Sequence, residues 1–199
     1  MSASPSDLAV GFQVCLPDWL AASLAQLPSE FVCVEDRMRL VLSLARRNVE
    51  EQTGGPFAAC VFERDSGRLV SVGVNRVEAS RLSSAHAEVV CLSLAQRALQ
   101  SYDLSQGGIV RQLVVNWRPC AMCFGAVLWS GVADLVIAGD GPELERITGF
   151  DEGPVVETWR QELEKRGIAL TMDVLRKEAV EGFYAFAKSG NAVYNARQG

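Results

Sequence analysis

The chain has almost no histidine: among 199 residues there is one, His86. A metal centre in this protein therefore has one imidazole ligand at most and must complete itself with sulfur or oxygen. Basic clusters are missing too. With 19 Lys and Arg against 24 Asp and Glu, the net charge is −5, and no long basic stripe forms. That excludes a nucleic-acid polymer as the expected substrate, because phosphate contacts need a positive surface. No apolar run reaches the length of a membrane span, and no internal repeat or low-complexity tract is present. Met1 to Asp7 lacks the basic and apolar regions of a secretory signal, so the expectation is a cytoplasmic protein with reduced thiols. Of its six cysteines, Cys15, Cys33, Cys60 and Cys91 lie in apolar neighbourhoods and read as buried free thiols.

What is present is concentrated in two short motifs, His86-Ala87-Glu88 and Pro119-Cys120-Ala121-Met122-Cys123. Zinc favours nitrogen and sulfur donors, and a catalytic site offers three protein ligands while keeping a fourth tetrahedral position for water. His86, Cys120 and Cys123 meet that count. Two cysteines three apart share one face of a helix, and Pro119 predicts that this helix opens there, where its dipole favours thiolates. His86 and Glu88, two apart, would diverge on a regular helix, so the chain is expected to enter a helix at them, with Ser83 or Ser84 as N-cap. Glu88 is then placed to take the proton that a water must lose to become a nucleophile. A lone Cys-x-x-Cys reads equally as a redox pair and a lone His as structural; the two motifs together supply every part the chemistry needs.

A length of 199 residues with 49% hydrophobic content suits one well-filled domain. Residues 1–35, broken by Pro5, Pro17 and Pro28, read as an N-terminal extension with a short helix from Trp19 to Leu27. A core helix is predicted from an Asp36 cap to about Gly54-Gly55-Pro56. A hairpin follows, 57–63 and 69–75, joined by Asp65-Ser66-Gly67. Then come a helix 86–99, a strand 113–116, a helix 120–129, a strand 133–138, a helix 155–166, a strand 168–174 and a helix 176–188. Helices alternating with strands after a hairpin predict an α/β fold, a three-layer α/β/α sandwich on a mixed five-stranded sheet.

The two motifs resemble the signature of the zinc-dependent nucleobase deaminases, the cytidine deaminase superfamily, and the predicted fold resembles theirs. Residues 36–199 resemble one branch in particular, the small guanine deaminases of this fold. Gly54-Gly55-Pro56-Phe57-Ala58-Ala59 is similar to that branch's G-G-P-F-G-A, with Ala58 in place of a glycine, and Gly149-Phe150-Asp151-Glu152 is similar to its G-F-D-D. The resemblance implies one zinc ion per subunit held by His86, Cys120 and Cys123, with Glu88 as proton carrier and Glu152 as a second catalytic carboxylate. It places Phe57, Asn75, Ala87, Trp129, Asp151 and Tyr194 at the base. The implied reaction is hydrolysis of guanine to xanthine and ammonia. The resemblance also implies a homodimer in which the tail, residues 189–199, crosses to the partner and closes its site through Tyr194.

From the residues alone, Phe57 and Trp129 read equally as core, Asn75 as a strand-end turn, Asp151-Glu152 as a solvated acidic pair, and the tail as a frayed end. One departure stands out. Where the branch has Ser-Glu or Cys-Glu ahead of Pro-Cys, this chain has Trp117-Arg118. A cation in place of a carboxylate leaves open another aminated heterocycle or nucleoside, such as a triazine, a pterin or a cytosine-type base. It also leaves a non-catalytic zinc-binding interaction module.

Overall fold

In the computed structural model, which describes residues 8–195, the chain forms a five-stranded mixed sheet between two layers of helices. The strands are β1 (Ala58–Glu63), β2 (Leu69–Val74), β3 (Arg111–Val115), β4 (Asp134–Ile137) and β5 (Ala169–Thr171), in the spatial order β2-β1-β3-β4-β5. β1 runs antiparallel to both β2 and β3, while β3, β4 and β5 are mutually parallel. The hairpin explains the antiparallel edge, since its short turn at Asp65-Ser66-Gly67 reverses the chain. The parallel half needs crossovers, and helices supply them.

Because side chains alternate across a strand, β1 feeds two cores. Ala58, Cys60 and Phe62 point into one, packed with α2 (Val34–Glu50) and α8 (Arg176–Ser189), whereas Ala59 and Val61 point into the other. That second core lies under α4 (Ala87–Leu99), α5 (Ala121–Ser130) and α7 (Trp159–Glu164). The remaining helices are short: α1 (Asp18–Leu24), α3 (Val77–Ser80) and α6 (Glu143–Thr148). Among the described residues no helix is long and apolar enough to cross a membrane.

Residues before 36 join the first core. Leu20 is fully buried in it, and Phe31 packs edge-on to Phe62. Trp19 donates to Thr53 Oγ1 at 3.0 Å, and Arg76 reaches back to the carbonyl of Cys15 at 3.0 Å. Leu20→Ala should therefore cost about 2–5 kcal/mol of stability, the range for a truncated core leucine, measured by urea unfolding. A loss below about 1 kcal/mol would mean that the segment is only laid on the surface.

Several boundaries move from their sequence positions. The helix expected at Asp36 starts at Val34 with Cys33 as N-cap, so Glu35 and Asp36 sit in the first turn, where the helix dipole favours them. The strand expected at 168–174 and the helix at 155–166 shorten to β5 and α7. Cys15 and Cys33, read as buried, are exposed, while Cys60 and Cys91 are buried. Apolar neighbours in sequence do not enclose a thiol when the segment lies at the rim of the fold.

Candidate active site

The N-termini of α4 and α5 converge on one point. His86 is the N-cap of α4, in extended conformation at φ −68° and ψ 155°. It therefore leaves the helix axis at a different angle from Glu88 in the first turn, which resolves the two-residue spacing. Neither serine caps the helix; the imidazole occupies that place and makes no capping bond. Cys120 is likewise the N-cap of α5, again extended and without a side-chain capping bond, and Cys123 lies in the first turn. Pro119 thus precedes the helix instead of opening it.

The donor atoms of His86, Cys120 and Cys123 lie within 4.8 Å of one another. Cys120 Sγ is 3.5 Å from His86 Nδ1. Tetrahedral zinc with its usual bond lengths would set such an N and S about 3.6 Å apart, so the donor set fits the ion in type and in spacing.

The electrostatics of the surrounding groups agree. A hydrogen bond from Cys123, aided by His86, draws the Cys120 thiol down to about 4, so that it is a thiolate. The same hydrogen bond, together with burial, pushes Cys123 well up. Burial alone would lower His86, but the hydrogen bond and charge of Cys120, together with Glu88 and Glu152, outweigh it and raise the imidazole. Glu88 is raised by burial and by Cys120. Glu152 is raised to about 8 by burial, with Cys120 and Glu88 adding like charge. Two carboxylates held away from their ordinary range beside a metal-binding triad is the pattern of acid–base chemistry.

A cavity of about 200 Å³ opens on this group, and Glu88, Glu152, Asp151, Phe57 and Tyr194 all line it. The loop carrying Glu152 is fixed to α5, since the carbonyl of Glu152 accepts from the backbone N–H of Ala121 at 3.0 Å. The loop below Phe57 is fixed by Asn48, whose Nδ2 donates to the carbonyls of Gly55 and Asn75 at 3.0 Å each. Phe57 meets Phe150 edge-on with ring centroids 5.1 Å apart, and Phe150 meets Tyr194 at 4.8 Å. A Cβ on Gly55 would stand 2.5 Å from the Tyr194 hydroxyl, so any larger residue there would displace Tyr194.

Asn75 is completely buried beside the cavity, next to Val77 of its wall. Its Oδ1 accepts from the Val77 backbone N–H at 3.2 Å, while its Nδ2 has no partner. An orphaned buried amide is costly, and a ligand would relieve it. Ala87 is also fully buried, but in the second core and away from the cavity wall.

Trp129 is not brought to the site: it is 82% exposed. Six residues past Cys123 on a helix is a rotation of about 240°, which turns it off the face that carries the cysteines. The tail lies against its own chain. Asn191 donates to the carbonyl of Val49 at 3.4 Å, and Tyr194 then reaches the cavity of its own chain. Asn195 clamps the acidic loop, accepting from the N–H of Asp151 at 2.9 Å and donating to the carbonyl of Gly149 at 2.7 Å. Only about five residues separate the end of α8 from Tyr194, and α8 ends beside the Gly54-Gly55 loop. The described residues end at 195.

Sequence reasoning missed Val77, Ser83 and Asn195 in the cavity wall and left Trp117 and Arg118 without a place; both line it. Trp117 is 2% exposed and stands edge-on to Phe183 at 5.3 Å.

Comparison with known proteins gives the same answer as the geometry. The family described as the cytidine and deoxycytidylate deaminase zinc-binding region matches residues 32–139. The guanine deaminase of Nitrosomonas europaea superposes with a TM-score of 0.81 at 44% identity, covering 94% of this chain and 100% of that one. A crystal structure of the protein NE0047 with 2,6-diaminopurine gives a TM-score of 0.84 at 46% identity, covering 93% and 97%. The guanine deaminase of Bacillus subtilis is 27% identical over 157 residues, 79% of this chain and 96% of that protein. With a donor triad that fits zinc and a buried carboxylate beside it, the chain belongs to the cytidine and deoxycytidylate deaminase zinc-binding family, as a hydrolase of C–N bonds.

Proposed function

We propose that this enzyme hydrolyses guanine to xanthine and ammonia. The observation that carries the reading is the placement of Glu88 and Glu152 in one cavity beside the His86, Cys120 and Cys123 triad. At about 200 Å³ the cavity is smaller than the roughly 300–1,000 Å³ of pockets for drug-sized ligands, which suits a free base. The similar proteins named guanine deaminase support it further.

His86, Cys120 and Cys123 would hold the zinc ion, which when bound acidifies a water and polarises the carbon under attack. Glu88 takes a proton from the attacking water and delivers it to the ring nitrogen beside C2. It then protonates the amine that departs from C2, the double duty of one well-placed acid and base. Glu152 accepts from the N–H donors of the base and shuttles protons beside Glu88. Phe57, Phe150 and Tyr194 enclose the ring and exclude water, and the free Nδ2 of Asn75 donates to an acceptor on the base. Ala87, with its side chain in the core, has only its backbone between His86 and Glu88 to offer the base.

The domain reading is one deaminase domain, with residues 8–35 packed on it as an arm. In our reading the protein is cytoplasmic and homodimeric. The support for a dimer is α5, which carries no charged residue and leaves Met122 40% and Trp129 82% exposed, an apolar face that another subunit would cover.

Ammonia release from a panel of guanine, cytosine, a pterin, a triazine and nucleosides tests the substrate. Guanine is expected to have the highest kcat/KM, by at least about 100-fold, since a site built to hydrogen-bond one heterocycle rejects those lacking its groups. Turnover of another member with none of guanine would overturn the proposal.

A further inference from the structure

Arg118 is the one Arg or Lys among the residues lining the cavity, and it is only 8% exposed. A guanidinium so buried is costly unless its charge and its donors are met. Its charge is met by Asp140, with Nε 2.5 Å from Oδ1. That carboxylate is already divided, accepting from the Gly141 backbone N–H at 2.6 Å and from Arg160 at 3.1 Å. Beyond that ion pair the Arg118 side chain makes no hydrogen bond to any described residue, its Nε included, and no ion pair joins it to Glu88 or Glu152. Its backbone is fixed by donation to the carbonyl of Gly139 at 2.9 Å, and Trp117 before it is locked in the core. A rigidly mounted fork with unspent donors therefore stands in the wall of a substrate cavity.

A guanidinium donates only and matches two neighbouring acceptors. Guanine offers such a pair, O6 and N7, the edge that arginine most often reads. That edge lies across the ring system from C2, so it is free while C2 faces the metal-binding triad. A purine with an amine at C6 would set a donor against a donor there.

We propose that Arg118 determines specificity for this reaction by holding O6 and N7 of a 6-oxopurine with its terminal amines. This rests on the guanine reading and adds to it the means by which a 6-oxo ring is told from others.

The test compares guanine with 7-deazaguanine, which lacks the N7 acceptor, and with 2-aminopurine, which lacks O6. Each is assayed for kcat/KM, and for competitive inhibition where turnover is absent, with the wild-type enzyme and with Arg118→Gln and Arg118→Lys. Wild type is expected to favour guanine over each analogue by on the order of 10- to 100-fold, the range for a bidentate contact. In Arg118→Gln the preference should shrink to about 3-fold or less with zinc content unchanged. Arg118→Lys, which keeps the charge without the fork, should recover only part of it.

Equal losses on all three ligands, with the wild-type preference kept, would overturn the proposal, because a merely structural arginine acts on every substrate alike. If Arg118→Gln fails to fold, the wild-type enzyme alone decides: no preference for guanine over 7-deazaguanine overturns the proposal. Absence of ammonia from guanine with wild type is a separate result that removes the guanine reading itself.

Discussion

Replacing Glu88 by Gln is expected to leave zinc bound and to cut kcat by roughly 1,000- to 10,000-fold, the upper part of the range for a positioned acid or base. Glu88 is outside the donor set of His86, Cys120 and Cys123, so the metal count should hold. Glutamine keeps the volume and most of the hydrogen-bonding capacity but cannot accept and return a proton. Folding should not suffer either. Glu88 is 7% exposed and its carboxyl is pushed up by burial, so the neutral amide is the easier group to enclose. The loss should fall on kcat and kcat/KM together, with KM nearly unchanged, because the proton is in flight only in the transition state. Metal analysis and steady-state kinetics on one preparation check it. Activity within about 10-fold of wild type would remove Glu88 from the reaction, and lost zinc would make it a structural residue.

The metal-binding group was legible because its chemistry is confined to short spacings that no other fold feature imitates. The sheet was legible too: short runs rich in small and β-branched residues, joined by the turn at Asp65-Ser66-Gly67, mark the hairpin of β1 and β2. Helix starts were misplaced for a reason tied to function. The expected caps, Ser83 or Ser84 and the residues around Pro119, follow capping preference, whereas the N-cap positions are occupied by His86 and Cys120. A cap is worth about 1 kcal/mol, and a metal ligand is a stronger demand on the same position. Trp129 was placed near the base by the resemblance alone, and its 82% exposure matches neither that reading nor the core one. Arg118 stood out as a departure but without a place, and Asn195 gave no local signal, because their partners Asp140 and Gly149 are 22 and 46 residues away in the chain.

Truncation after Lys188 is expected to abolish turnover, by about 100-fold or more, while zinc stays bound and the fold survives. The tail provides two functions that nothing else in the described chain repeats. Tyr194 closes the cavity over Phe150 and Gly55, and closure both excludes water and completes a catalytic constellation. Asn195 holds both ends of the turn through Gly149 and Asp151 that presents Glu152, so its loss frees the second carboxylate; misplacing a reacting group by about 1 Å can already cost on the order of 100-fold. The metal ligands stand at the starts of α4 and α5 and none of them is in the tail, which is why zinc should remain. A mixing experiment decides whose site the tail closes. Combining the truncated protein with Glu88→Gln gives, in every mixed dimer, one subunit with an intact Glu88 and no tail beside one with a tail and no base. Closure within one chain predicts no recovered turnover from this mixture. Recovery would mean that the partner's tail reaches across, and the path from α8 to Tyr194 would then run between subunits.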